Sequence, residues 1–542
     1  MRHGGRILVD QLRAQDVSRV FSVPGESFLA VLDALFDSGI QNVVCRHEGG
    51  AAMMAEATGK MTGRPGIAFV TRGPGATNAS SGVHVARQDS TPMILFVGQI
   101  ARGHRDREAF QEVDFRAFFG PIAKWAAEID QTERIPEYVN RAFHVAMSGR
   151  PGPVVLALPE DMLSERADVP VLAPTAQPLS RACDEDARLL LEKLAHAERP
   201  LLVAGGVGWN GESCAMLRGF ADRQGLPVVT PFRRQDLMDN RSGNYIGDLG
   251  AGMNPALARR LRNSDCLLVL GARLGDIMTG GYELVDPAAP DKSILHVHPD
   301  PDLPGSVYRT DLCVTARAPE MVARLVRFPK VGDWTEWVRS GRGEYEAWSR
   351  PRETPGSVKL EEVVRWLSDT LPEDAIVTNG AGNYAAFVHR YFVYKRYGTQ
   401  LAPTSGAMGT GFPAAVAAAL RHPDRLVVCF AGDGCFQMTL NEMSTARQYG
   451  VAPIVLVCNN GRYGTIRMHQ ERAYPGRTSG TDLENPDFAA LARAYGGHGE
   501  TVENGAEFPA AFERARMSGR LSLVELRLDP RTLSTSTDLD GS

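Results

Sequence analysis

At 542 residues the chain is too long for one hydrophobic core, so two to four domains are expected. Hydrophobic residues make up 43% and charged residues 23%, and the 55 Gly and 34 Pro are spread along the chain, which suits tight strand–loop–helix junctions and excludes a disordered one. A net charge of −5, from 59 basic and 64 acidic residues without a block of like sign, speaks against nucleic acid or an acidic membrane surface as the main partner.

The first twelve residues, MRHGGRILVDQL, lack the basic–apolar–small order of a secretion signal, and no apolar run is long enough to span a bilayer. A cytoplasmic location follows as the default. None of the eight cysteines forms a CxxC pair, and several stand in apolar runs, so buried reduced thiols are expected.

Short apolar runs alternate with amphipathic helical patterns: 66–73, 92–99, 153–159, 200–208, 266–273, 375–380, 426–434 and 453–460. Continuous runs of this length that end in Gly, Asn or Asp predict buried parallel strands with functional loops at their C-terminal ends. Stretches rich in Pro and charge at 164–186 and 328–357 are read as linkers. The expected fold is α/β, with three doubly wound parallel-sheet domains at 1–165, 180–330 and 355–535. The first and third share size and strand texture, as an ancient duplication would produce.

The most informative segment is AGDGCFQMTLNEMSTARQYGVAPIVLVCNN, residues 431–460. One strand delivers Gly-Asp-Gly, a helix follows, and the next strand delivers Asn-Asn. Parallel neighbours would set Asp433 beside Asn460, and one carboxylate with one amide oxygen suits Mg²⁺ that also takes diphosphate oxygens. Gly432 and Gly434 would let backbone approach closely, and a helix opening at Cys435 would aim free N–H groups at phosphate. A carboxylate in RHEGGAAMMAEATGK (46–60), Glu48, stands at a helix start among small and apolar residues. On its own it reads as a complement to the helix dipole.

Together these segments resemble the thiamine-diphosphate (ThDP) family of decarboxylases and carboligases, with acetohydroxyacid (acetolactate) synthases closest in texture, over nearly the whole chain. The resemblance implies that Asp433, Asn460 and the backbone carbonyl of Arg462 hold Mg²⁺, and that Gly432, Gly434 and Cys435 face the diphosphate. It implies that Glu48 touches the aminopyrimidine N1′ and promotes the imino form that removes the thiazolium C2 proton, a task served by an apolar setting. In TSGAMGTGFPAA (404–415) Met408 would wedge beneath the cofactor, with Gly406 and Met408 bonding the pyrimidine through their main chain. NGAGNY (379–384) matches a second diphosphate turn, through Gly380, Ala381, Gly382 and Asn383. TRGPGATNASSGVHVARQDSTPMILFVGQ (71–99) and AFQE (109–112) match the first domain of the synthases, and Gln111 would reach toward thiazolium and substrate.

The substrate-choosing positions depart from the synthases. Ile466 suits the apolar residue above the thiazolium, but His469 stands where biosynthetic synthases carry Trp. Arg467 and Arg472 read equally as carboxylate holders or as solvated helix charges. Glu26, in SVPGESF (22–28), occupies a place where simple decarboxylases carry an acid and synthases Gly; it is a candidate proton relay, although the His pair of those decarboxylases has no counterpart. The middle domain has GDLGAG (247–252) and RLGDI (273–277) where FAD-binding synthases carry segments with a His and a second Arg. An empty or structural middle domain is therefore preferred to an FAD site. The reading is a ThDP- and Mg²⁺-dependent enzyme that decarboxylates a 2-oxo acid and protonates or ligates the resulting enamine. Family architecture implies a homodimer or homotetramer with active sites shared between subunits. A non-decarboxylating ThDP carboligase or C–C hydrolase is the alternative within the class, and a non-catalytic nucleotide-binding or assembly paralogue the alternative outside it.

Overall fold

The computed structural model describes residues 1–539. Its strands form three six-stranded sheets, parallel throughout, and one small antiparallel ribbon that pairs Arg2–His3 with Arg166–Ala167. The first sheet contains β1 (Arg19–Ser22), β2 (Gln41–Val44), β3 (Gly66–Val70), β4 (Met93–Gln99), β5 (Trp125–Glu128) and β6 (Pro153–Pro159), in the order β2-β1-β3-β4-β6-β5. The central sheet contains β7 (Pro200–Ala204), β8 (Val228–Pro231), β9 (Tyr245–Leu249), β10 (Cys266–Leu270), β11 (Ser293–His298) and β12 (Leu312–Thr315), in the order β9-β8-β7-β10-β11-β12. The third contains β13 (Ile376–Asn379), β14 (Gln400–Leu401), β15 (Val427–Gly432), β16 (Ile454–Asn459), β17 (His498–Val502) and β18 (Ser522–Arg527), in the order β14-β13-β15-β16-β18-β17. The first and third sheets thus share one winding order and the central one has another.

All eight apolar runs are strands, and strands such as β4 and β6 are buried at every residue because helices cover both sheet faces. In the central and third sheets the runs stop where Gly or Asn frees the chain to turn, and the loops of β7 and β10 lie at the point where the central winding reverses. There Gly206, with φ +77°, packs so closely that a Cβ would lie 2.1 Å from the carbonyl oxygen of Gly271.

The helices that matter for the site are α1 (Glu48–Thr62), α2 (Gly73–Asp89), α3 (Thr335–Trp348), α4 (Gly411–Arg421), α5 (Asp433–Gln437) and α6 (Gly464–Ala473). In α1 the His47 ring accepts the amide of Gly49 at 3.0 Å, and Gly63 closes the helix at φ +67°. Its Ala and Gly residues, with Met53 and Met54, are buried because α1 lies between α2 and α4, so one apolar core runs from the first unit into the third. Small residues make the close approach possible: a Cβ on Gly82 of α2 would sit 2.5 Å from that of Ala52.

Two expectations need correction. Helix α3 stands inside the stretch 328–357 read as a linker. The indoles of Trp334 and Trp337 donate to the carbonyls of Ala197 (2.8 Å) and Pro200 (2.9 Å), and Tyr345 meets Tyr245 edge-on, so aromatic anchors outweigh the polar flanks. The stretch 164–186 does run without regular structure from Asp168 to Cys183. Of the cysteines, Cys45, Cys266, Cys429, Cys435 and Cys458 are buried and Cys214 is half-buried, but Cys183 and Cys313 are exposed; none is disulfide-bonded. Among the described residues no helix is long and apolar enough to cross a membrane.

A candidate active site at the third sheet

Strands β15 and β16 run side by side with Gly432 opposite Cys458, which brings Asp433 and Asn460 together just beyond the strand ends. Asp433 is 3% exposed, and its carboxylate is held on both oxygens. Oδ1 accepts the amide of Gly434 (2.9 Å); Oδ2 accepts the amide of Gly461 (2.9 Å) and the side-chain amide of Asn485 (2.8 Å). Burial pushes its pKa up, while these hydrogen bonds pull it down. Asn485 also donates to Asn459 Oδ1 (2.9 Å), whose own amide donates to the buried carboxylate of Glu525 (2.6 Å). Asn459 therefore braces the strand ends from behind, and Asn460 is left to face the cavity.

That cavity, about 1050 Å³ with its open mouth, is lined by Ala381, Gly382, Asn383, Gly406, Met408, Gly432, Asp433, Gly434, Cys435, Asn460, Arg462 and Ile466. Glycine is needed in its wall for a steric reason: a Cβ on Gly432 would fall 2.9 Å from the Tyr384 ring, and one on Gly434 2.5 Å from the Tyr463 ring. Gly380 lies behind the wall, where a Cβ would strike Cys435 Sγ at 2.5 Å. Cys435 Sγ accepts the Tyr384 hydroxyl (3.3 Å) and the amide of Gly409 (3.1 Å), tying the 380–384 turn to the loop that carries Met408. Asn383 is fixed by Thr465, whose hydroxyl donates to its Oδ1 (3.0 Å) and accepts its backbone amide (3.0 Å). The helix after β15 begins at Asp433, two residues earlier than expected, and spans only five residues. The Arg462 carbonyl accepts the amide of Gly464 at 2.9 Å, which leaves one lone pair for another partner.

The donor chemistry fits a hard cation: one buried carboxylate, one amide oxygen and one backbone carbonyl. Among the described residues no three His, Cys, Asp or Glu side chains converge on a metal position, as expected for a set with a single carboxylate.

A second cluster forms on the first sheet. Glu48 opens α1 and accepts the amide of Asn78 at 3.0 Å, and Gly75 stands beside it, with room for a Cβ only 3.3 Å from Glu48 Oε1. Gly73 packs against Gln111, which is held at φ +64°. The loop that presents Gln111 is organised by Glu112, whose carboxylate accepts the amides of Asp106 (2.9 Å) and Ala109 (3.0 Å). These backbone bonds, that of Asp106 first, draw the Glu112 pKa down. Between Gly73 and Thr71 lies Arg72, buried, with its guanidinium on Glu26 and, at 3.0 Å, on Glu160. None of Glu26, Glu48 or Gln111 lines the cavity of the third sheet within one chain.

Three models of the thiamine pyrophosphate enzymes match in sequence: the N-terminal TPP binding domain at residues 2–118, the central domain at 187–325 and the C-terminal TPP binding domain at 380–526. The chain is 32% identical to the acetolactate synthase large subunit of Corynebacterium glutamicum over 535 residues, covering 95% of this chain and 84% of that protein. It is 30% identical to the acetolactate synthase isozyme 2 large subunit of Escherichia coli K12 over 531 residues (97% and 96%). With the mitochondrial acetolactate synthase catalytic subunit of Saccharomyces cerevisiae the identity is 31% over 558 residues (97% and 81%). The chain belongs to the thiamine pyrophosphate enzymes. It is a ThDP-dependent enzyme of the decarboxylating and carboligating kind, similar to the acetolactate synthases.

The positions read as substrate-choosing are less uniform than the cavity wall of this thiamine pyrophosphate enzyme. Ile466 lines the cavity and is 52% exposed. His469, one turn further along α6, is exposed and outside the lining, as is Arg472. Arg467 donates to Glu471 at 2.8 Å within the same helix, the geometry of a helix-face ion pair. At the central switch point a cleft is lined by Arg273 and Asp276 of RLGDI, with Arg150, Phe232 and His298; GDLGAG lies outside it. Sequence reading missed Asn485, Arg72 and Thr465. Each is a polar side chain that acts on another polar side chain, a relation without a spacing signature.

Proposed function

We propose that the cavity of the third sheet seats the diphosphate of ThDP with Mg²⁺, held by Asp433, Asn460 and the carbonyl of Arg462, and that Glu48 of a second copy completes each site. The reaction is proposed to be decarboxylation of a 2-oxo acid, followed by protonation or ligation to a second carbonyl. Bound ThDP supplies a nucleophilic thiazolium carbon and an electron sink for cleavage of the carbon–carbon bond. The residues do the rest. Gly432 and Gly434 keep the wall thin enough for close approach to backbone amides. Met408 and Ile466 present apolar surface at the cavity, which excludes water from the reacting carbon. Glu48 would share a proton with the aminopyrimidine when the cofactor is bound, and Glu26, held by Arg72, and Gln111 would face the acyl unit. A carboxylate fixed by a buried guanidinium is held in place to accept a proton and return it.

The observation that carries this reading is the pairing of Asp433 with Asn460 in a cavity of the right donor chemistry, in a chain whose Glu48 stands outside that cavity. The same separation supports a homodimer or homotetramer with shared sites. The deciding experiment is Glu48→Gln: turnover of 2-oxo acids, followed as CO₂ release, is expected to fall by about 10³-fold while calorimetric ThDP binding stays within a factor of a few. Unchanged turnover would sink the assignment. A screen of 2-oxo acids with and without carbonyl acceptors, read by mass spectrometry, identifies donor and product. We propose that the central unit carries no flavin, for the His and second Arg implied by resemblance are replaced; a flavin spectrum in the purified protein would overturn this. A cytoplasmic location is supported by eight cysteines without a disulfide.

A further inference from the structure

The loop 402–408 belongs to the third unit, yet side chains of the other two units hold it. Lys60, on α1 of the first unit, donates to the carbonyl of Ala402 at 2.9 Å. Arg233, which follows β8 of the central unit, donates to the carbonyl of Pro403. Asp89, at the end of α2, accepts the amide of Thr404 (3.0 Å), its hydroxyl (2.6 Å) and the amide of Ser405 (3.2 Å). Lys60 and Asp89 form a buried ion pair, and the Asp89 side chain is 0% exposed. Arg233 is 4% exposed and sits at φ +62°, a backbone shape that a non-glycine residue adopts only under constraint. Four consecutive residues of one loop are thus gripped by three buried charges, and immediately beyond the grip come Gly406 and Met408 in the cavity wall.

We propose that Asp89, Lys60 and Arg233 are positioning residues: they clamp 402–405 so that Gly406 and Met408 present the shape that receives the cofactor. This rests on the reading of the cavity as the ThDP site. The gripped stretch Ala402-Pro403-Thr404-Ser405 has little apolar surface of its own to fix its shape, whereas hydrogen bonds to buried charges are directional and strong. The clamp acts through the backbone of 402–405 and the Thr404 hydroxyl, and does not touch the cofactor.

The test uses full-length protein freed of cofactor by dialysis against a chelator, then titrated calorimetrically with ThDP at saturating Mg²⁺, with melting curves for every variant. Asp89→Asn places an amide donor against the amides of Thr404 and Ser405 and the Lys60 ammonium; its ThDP dissociation constant is expected to rise about tenfold or more. Thr404→Val removes one hydroxyl donor with little change of shape, and an increase of about threefold is expected. In both, the apparent KM for ThDP rises while kcat returns toward the parent value at high cofactor. The control is Glu56→Gln. Glu56 also contacts Lys60 (3.4 Å), but its other bond, from Thr91 (2.8 Å), stays within the first unit, so this variant should bind ThDP as the parent does whatever its melting temperature. Folded Asp89→Asn or Thr404→Val protein that binds ThDP like the parent overturns the clamp, as does Glu56→Gln binding as weakly as Asp89→Asn. A parent protein that binds no ThDP overturns the site reading instead.

Discussion

The Asp433 carboxylate accepts three hydrogen bonds, and two of their donors are backbone amides that a turn supplies without further cost. The third, Asn485, comes from a loop some fifty residues on and is the one that substitution can remove. Asn485→Ala should therefore leave the fold intact and weaken Mg²⁺ binding by about tenfold, the worth of a hydrogen bond to a charged group; calorimetric Mg²⁺ titration with ThDP present would read it, and parent-like affinity would deny Asn485 this role. At Gly434 the argument is steric. Gly434→Ala places a methyl 2.5 Å from the Tyr463 ring, so the ring must leave the cavity wall, and ThDP affinity should drop while melting moves little. Glu26 offers a chemical test. Because Arg72 pairs with it, Glu26→Gln should alter the ratio of protonated to ligated product with ThDP affinity unchanged; an unaltered ratio would remove Glu26 from the proton path.

Single strands carry consequences as well. On β11, His296 and His298 are 3% and 4% exposed, and burial first of all lowers both pKa values from 6.5 to about 4. His296 Nε2 lies 2.9 Å from the carbonyl of Ala272, and His298 Nδ1 accepts the amide of Asp300 at 3.0 Å, arrangements that suit neutral rings. Between pH 6.5 and 4 the unfolded chain binds protons that the folded one refuses, so stability present above pH 6.5 is lost as pH falls. For His296 the full difference amounts to about 3 kcal/mol. Melting temperature should fall across that window, and His296→Gln, which keeps an amide donor near the Nε2 position, should flatten the fall. Strands also show what a sequence discloses. All eight strands announced by continuous apolar runs are present, for burial on both faces favours apolar residues along nearly their whole length. Edge strands such as β2, β5 and β17 were silent, since one open side admits Gln41, Glu128 or Glu500 and erases the pattern. Helix α3 was hidden for the opposite reason: its anchors are two tryptophans and a tyrosine among charges, not a periodic stripe.

At the scale of the molecule, the units are joined by exchanged side chains. Glu442 of the third unit, 0% exposed, accepts the amides of Arg46 (3.2 Å) and His47 (3.0 Å) directly before Glu48. Asp89 returns the service at the loop before Met408. The residues proposed to meet the cofactor stand where strand ends and glycine pairs impose fixed spacings that a sequence discloses; the residues that join the units do not, because their partners lie hundreds of positions away. The cavity wall of a single chain contains Asp433 and Asn460 but not Glu48. If each site is assembled from two copies, a chain with a lesion at Glu48 and a chain with a lesion at Asp433 are not equally dead in company. Paired together, they form one site bearing both faults and one bearing none. Mixing Glu48→Gln with Asp433→Asn subunits, each inactive alone, should restore activity through the hybrids, and a mixture as silent as its components would mean that every chain works by itself.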